Sequence, residues 1–271
     1  MLKLQPFISE KIWGYERWLV SDHPHGCASV ELDTAGKIPA GASFATVTGG
    51  KYPLLIKVIQ ANETLSVQVH PDDDYAGKHE NSRGKSEGWL VLQAAADAAL
   101  VAGFNGKPDA TALRAAINEN RLDGYLRSVA VRNGDWLYIP AGLVHAIGGG
   151  MRLLEIQESS DVTYRLYDWG RGREVHIDRG LAVVKDLSAA AVAVDKFECP
   201  YFTWEIINGE TFAGAGDEVL FVLTGEGFLR GETGAEIPAR AEDTFYCPAA
   251  EKISRRGDLA VLRIRARQQG H

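Results

Sequence analysis

The sequence is poor in sulfur. Its 271 residues include three cysteines, Cys27, Cys199 and Cys247, and two methionines, Met1 and Met151. The cysteines are odd in number and far apart, and no CxxC occurs, so no even disulfide framework can be drawn and a reducing, cytoplasmic setting is expected. No run approaches the 18 or so apolar residues of a membrane span. The opening stretch, MLKLQPFISEKIWGYERW, lacks the continuous apolar segment of a secretion signal. Positive charge is short as well: 29 Lys and Arg face 36 Asp and Glu, a net charge of −7. Sequence-blind binding to nucleic acid needs a clustered positive surface, which this balance disfavours. Small anions are not excluded, because a few local Lys and Arg suffice for them. No low-complexity tract or long charge run is present.

What is there has the composition of a globular protein with a sizeable core, 45% hydrophobic and 24% charged. Glycine is abundant at 29 residues. Short apolar runs recur between Gly, Asp, Asn and Pro: residues 54–59, 64–69, 89–93, 136–139, 152–157, 219–223 and 259–264. That spacing predicts a sandwich or barrel whose tight turns use the glycines. Helix is local. The pattern predicts one over 109–127 with Asp109 or Thr111 as N-cap, another over 178–187, and a turn or two within 71–80. A small-residue stretch at 188–196 marks a boundary.

Residues 134–145, GDWLYIPAGLVH, align without gaps with residues 242–253, EDTFYCPAAEKI. Each reads as a strand delivered to a Pro-Ala-small turn. The first copy resembles the second sequence motif of cupins, with His145 starting the next strand toward a barrel interior. The second copy has Ile253 at that place, which cannot bind metal. The expected fold is therefore mainly β: two cupin-type jelly-roll barrels with a few short helices. Residues 1–190 would form a metal-binding catalytic domain, and residues 191–271 a second barrel lacking metal ligands.

Two of the seven histidines, His70 and His145, sit at turn-defined strand ends. Ser66, Gln68 and His70 share one face of a period-two strand. Glu87 precedes the next apolar run. Two imidazoles and a carboxylate with an open position suit a catalytic zinc ion, with Gln68 a possible fourth ligand through its amide oxygen.

Together these segments resemble the type I mannose-6-phosphate isomerases, in their short bacterial form. The carrying residues are Lys11-Ile-Trp-Gly14, Trp18-Leu-Val-Ser21, Pro53-Leu-Leu-Ile-Lys57, Leu65-Ser-Val-Gln-Val-His-Pro-Asp-Asp73, Gly84-Lys-Ser-Glu87, the turn ending at His145, and Ser160-Asp-Val-Thr-Tyr-Arg165-Leu-Tyr-Asp168. The resemblance implies that His70, Glu87 and His145 hold one zinc ion per chain, with Gln68 beside them, and that Arg165 is catalytic. It implies interconversion of mannose 6-phosphate and fructose 6-phosphate, a small-molecule sugar-phosphate partner and no nucleic acid or membrane. The chain departs from the family in short stretches before Trp18 and Pro53 and in Gly148-Gly-Gly150 after His145. These bear on pocket walls more than on the metal site.

Aldose–ketose isomerisation passes through an enediol, so charge developing on oxygen must be met by fixed cations. Arg165 keeps its proton and fits that role. Lys57 interrupts a strongly apolar strand and is expected in a polar pocket; Lys85 beside Glu87 is a similar candidate. Glu155, in an apolar strand, is expected near the metal. The base stays open among metal-bound water, Glu155 and Asp161. If 161–168 is one strand, Asp161, Thr163 and Arg165 share a face. Arg171 and Arg173 are candidate phosphate contacts. An iron-dependent cupin oxygenase and a non-catalytic sugar-binding cupin are the competing classes. The sequence does not give the oligomeric state.

Overall fold

The computed structural model describes residues 1–232 and 234–267. Strand dominates, and the apolar runs fall on strands Leu54–Ala61, Glu87–Ala94, Asp135–Ile139, Met151–Glu158, Glu218–Arg230 and Lys252–Ala266. The run at 64–69 pairs over Val67–Val69 alone. The described residues hold four short α-helices, Phe44–Thr48, Asp73–His79, Ala110–Asn118 and Ile177–Val183. Asp109 caps the third, its carboxylate accepting from the Ala112 N–H at 2.7 Å. That helix stops well short of residue 127. Asn120 turns left-handed at φ 53°, a conformation a short polar side chain tolerates. After a 3₁₀ turn at Leu122–Tyr125, strand Leu126–Ala130 draws the chain onto Ala99–Phe104.

The chain divides into two compact units. One comprises Met1–Ile8, Trp18–Leu55 and the described residues from Val194 onward; the other comprises Ser9–Arg17 and Ile56–Ala193. The crossing at Ala193 falls inside the small-residue stretch 188–196. The first fifty residues, expected in a domain of 1–190, mostly join the C-terminal unit instead. The reason is long-range pairing: strand Leu2–Gln5 lies between Thr244–Cys247 and Ser29–Asp33, burying Leu2, Leu4 and Val30. Among the described residues its largest sheet has nine strands, built mainly on Glu218–Arg230 and Lys252–Ala266.

The other unit carries two sheets. One runs Leu126–Ala130, Ala99–Phe104, His145–Ile147, Val67–Val69, Tyr164–Tyr167. The second includes, in order, Val192–Ala193, Asp135–Ile139, Glu87–Ala94, Met151–Glu158 and Leu54–Ala61. A core of Ile59, Leu65, Trp89, Leu100, Leu137, Leu143, Ile147 and Leu153 fills this unit. A second cluster around Val67, Val69, Leu113, Ile117 and Leu166 seats the Ala110–Asn118 helix.

The sequence repeat is a structural repeat at its turn. Gly134 and Glu242 both take positive φ, 86° and 69°. One residue on, Asp135 accepts from the Arg132 N–H at 2.8 Å, and Asp243 accepts from the Arg240 N–H at 3.0 Å. Glycine suits such a backbone; glutamate occupies it at a steric cost.

Candidate metal centre

Strand register assembles the site. Gln68 lies directly opposite His145 on one side and Arg165 on the other. Glu87 lies opposite Ile139 and Gln157. Facing residues in antiparallel strands project to the same side, so residues far apart in sequence converge on one interior. His70, Glu87 and His145 are all buried, and one nitrogen or oxygen of each lies within 4.8 Å of the others. His70 Nε2 is 3.6 Å from Glu87 Oε2, and His145 Nε2 is 3.5 Å from Glu87 Oε1.

The imidazoles are oriented from behind. His70 Nδ1 lies 2.9 Å from the Val162 carbonyl, and His145 Nδ1 lies 2.8 Å from the Leu143 carbonyl. A carbonyl only accepts, so each Nδ1 carries the hydrogen and each Nε2 turns a lone pair toward Glu87. Burial pushes the His145 pKa down to about 4. Burial, then Lys85, pushes His70 well below its ordinary value. Both rings are therefore neutral near pH 7, as metal ligation requires. Burial and Glu155 push Glu87 up, while Lys85 and Lys57 oppose them. The donor set already gathers a cation: the Lys85 ammonium donates to Glu87 Oε2 and lies 2.9 Å from His70 Nε2. Two neutral nitrogens and a carboxylate fit a borderline divalent ion such as zinc.

A second charged pair adjoins this set. Lys57 and Glu155 are both buried, with Nζ 2.9 Å from Oε1. Trp89 Nε1–H donates to Glu155 Oε2 at 2.8 Å, and the Trp89 ring meets His145 edge-on at 5.4 Å. Glu16 stands 3.8 Å from Lys57. Burial alone would lower the Lys57 pKa, but Glu155 and Glu16 hold it above its ordinary value. Burial would raise Glu155, but Lys57 and Lys85 hold it below. Sequence reasoning placed Lys57 and Glu155 here but missed Glu16 and Trp89. Glu16 is a buried acid in strand Gly14–Val20, and its partner lies some forty residues on.

The wall beside Gln68 carries Ser66 and Arg165. Ser66 Oγ accepts from Gln68 Nε2 at 3.1 Å and from Arg165 Nε at 3.4 Å. Arg165 also donates to the Glu174 carbonyl at 2.7 Å, and its backbone N–H donates to His176 Nδ1 at 3.0 Å. The expected single face of Asp161, Thr163 and Arg165 does not form, because the strand begins only at Tyr164. Asp161 is exposed in the preceding loop. Arg171 and Arg173 both donate to Asp168, Arg171 Nη2 to Oδ1 and Arg173 Nε to Oδ2, each at 2.8 Å.

Fold and site together define a mainly β, cupin-like protein with a candidate His/Glu/His metal site and a buried Lys57–Glu155 pair beside it. The model for phosphomannose isomerase type I, catalytic domain, matches residues 16–113. A probable mannose-6-phosphate isomerase of Bacillus subtilis (strain 168) is 32% identical, over 92% of this chain and 93% of its own. The chain belongs to the mannose-6-phosphate isomerase family. The crystal structure of a mannose 6-phosphate isomerase from Bacillus subtilis superposes with a TM-score of 0.80 at 25% identity, covering 97% of this chain and 98% of that one. A mannose 6-phosphate isomerase bound with zinc and yttrium shares the fold, with a TM-score of 0.70 at 15% identity over 99% of this chain and 100% of that one.

Proposed function

We propose that the chain is a zinc-dependent mannose-6-phosphate isomerase, interconverting mannose 6-phosphate and fructose 6-phosphate through an enediol. The observation that carries this reading is the pair of histidines whose Nδ1 atoms are tied to carbonyls while both Nε2 atoms face Glu87. An iron oxygenase could use the same three ligands, but it has no need of the buried Lys57–Glu155 pair.

In this reading His70, Glu87 and His145 hold the ion, with Gln68 beside them. When bound, zinc would supply Lewis acidity to stabilise the negative charge that develops on the sugar during isomerisation. The chain's own residues do the rest. Lys57 presents a cation that its carboxylate neighbours keep charged, aimed at oxygen where negative charge develops. Glu155, ionised and buried, takes the proton from one sugar carbon and returns it to the other, while Lys57 stays charged beside it. Asp161, exposed in the loop before Tyr164, is a candidate substrate contact. Arg165 supplies a permanent positive charge from the opposite wall, with Ser66 and Lys85 contacting substrate. Trp89 fixes the Glu155 carboxylate, so the proton carrier keeps one position.

We assign the metal-binding barrel to the unit of Ser9–Arg17 and Ile56–Ala193, and a second, non-catalytic jelly roll to the other unit. Three free cysteines accord with a cytoplasmic enzyme. The test is metal analysis of the purified protein followed by a coupled assay of fructose 6-phosphate formed from mannose 6-phosphate. About one zinc per chain and turnover that chelation abolishes and zinc restores are expected. Absence of both would refute the reading.

A further inference from the structure

The recurring turn lets the two units be matched residue by residue. Laying Gly134–His145 on Glu242–Ile253 sets Ile139 on Cys247 and His145 on Ile253. Ile139 faces Glu87 across its strand pair; Cys247 faces Glu218 across its own. His145 faces Gln68; Ile253 faces Phe212. Two residues further stand His70 in one unit and Gly214 in the other. Gln68, His70, Glu87 and His145 therefore correspond to Phe212, Gly214, Glu218 and Ile253. Both imidazoles and the amide are gone, and the carboxylate remains.

Glu218 is an odd residue to find there otherwise. It is fully buried, beside a core of Leu220, Val222, Phe245, Cys247 and Ile253. Neither of its oxygens makes a hydrogen bond of ordinary geometry, although the Ala215 amide lies near enough to favour the charged form against burial. Two arginines on the adjacent strand could have neutralised it. Arg263 and Arg265 instead both donate to Glu205, at 2.6 and 2.8 Å. A buried carboxyl without an ion-pair partner is costly, so something other than stability accounts for its position. A Cβ added to Gly214 would lie 2.7 Å from Glu218 Oε1, 3.0 Å from the Glu251 carbonyl oxygen and 3.2 Å from Ile253 Cδ1, so a side chain there meets both Glu218 and Ile253 once the Glu218 carboxylate gives way.

We propose that Glu218 is the surviving ligand of a degenerate second metal centre, a dormant position for a zinc-class divalent cation lacking only imidazoles at 214 and 253. The assignment rests on reading His70, Glu87 and His145 as the working centre. Its test counts metal above whatever the parent holds, so the two can fail separately. The Gly214→His/Ile253→His variant of the full chain is titrated with Co²⁺, which reports its ligands by visible absorption. One additional equivalent per chain is expected, and it should disappear when Glu218→Gln is added. A folded double variant that takes up no extra cobalt overturns the proposal, as does an extra equivalent that survives Glu218→Gln. Should the double variant not fold, Glu218→Leu in the parent decides. A relict ligand with no structural duty predicts a melting temperature higher by about 2–4 °C. A lower one overturns the proposal. Parent protein without any metal would sink the isomerase reading alone.

Discussion

Replacing Lys57 with methionine tests the electrostatic core of the site. Methionine matches the length and much of the volume of lysine, so packing is conserved and the charge alone is removed. The ammonium lies 2.9 Å from Glu155 Oε1, and both side chains are less than 10% exposed. Its loss strands the Glu155 carboxylate with Trp89 as its remaining close donor. Breaking a buried pair by removing one partner costs about 3–5 kcal/mol. At about 2–4 °C per kcal/mol for a chain of this size, the melting temperature should fall by roughly 6–20 °C. Glu155→Gln in the same background removes the stranded charge and still accepts from Trp89, so most of the loss should be recovered. The cycle of Lys57→Met, Glu155→Gln and their combination, followed by urea and thermal unfolding, isolates the coupling, for which about 2–3 kcal/mol is expected. Isomerase turnover should be lost in all three variants, while zinc content stays near one per chain. A Lys57→Met protein less than about 1 kcal/mol below the parent, or a double variant no better than the single, would show that the pair is not charged and dry as described.

His145→Ala should lose metal, whereas Arg165→Ala should keep metal and lose turnover; normal turnover in Arg165→Ala would remove that residue from the mechanism. Metal-stripped protein should weaken as pH falls. His145 is held at about 4 when folded and titrates near 6.5 when unfolded, so the unfolded chain binds the extra proton between those values. Stability is thus full above about pH 6.5 and lost toward pH 4, by about 2 kcal/mol between pH 7 and 5. Urea midpoints of the parent and of His145→Gln should diverge over that range, and parallel curves would contradict the assignment. Gly14→Ala should destabilise strongly, by about 2–4 kcal/mol, because its φ of 148° brings an added Cβ to 1.9 Å from the Gln60 carbonyl oxygen. A near-neutral unfolding midpoint would mean that the strand can shift aside.

The local pattern reached most of the strands because a buried strand needs an apolar run and a turn needs Gly, Asn, Asp or Pro. It reached His70, Glu87 and His145 because turn chemistry and strand period are written in neighbouring residues. Lys57 was legible as a charge inside the run LLIKVI. Helix 109–127 was overcalled because the force that ends it, pairing of Leu126–Ala130 with Ala99–Phe104, comes from another part of the chain. The face shared by Asp161 and Arg165 failed for a similar reason. The ladder on Val67–Val69 begins only at Tyr164.

By itself the sequence determined the element types, the turn repeat and the candidate ligands His70, Glu87 and His145, since each of these is marked by its own immediate neighbours in the chain. Tertiary structure alone decided three further things. It gave the N-terminal strand to the C-terminal unit, set Glu16 and Trp89 around the Lys57–Glu155 pair, and placed Glu218 at the register of Glu87. Each depends on which strand lies beside which, and that pairing is fixed by how the whole chain buries its apolar surface rather than by any local motif.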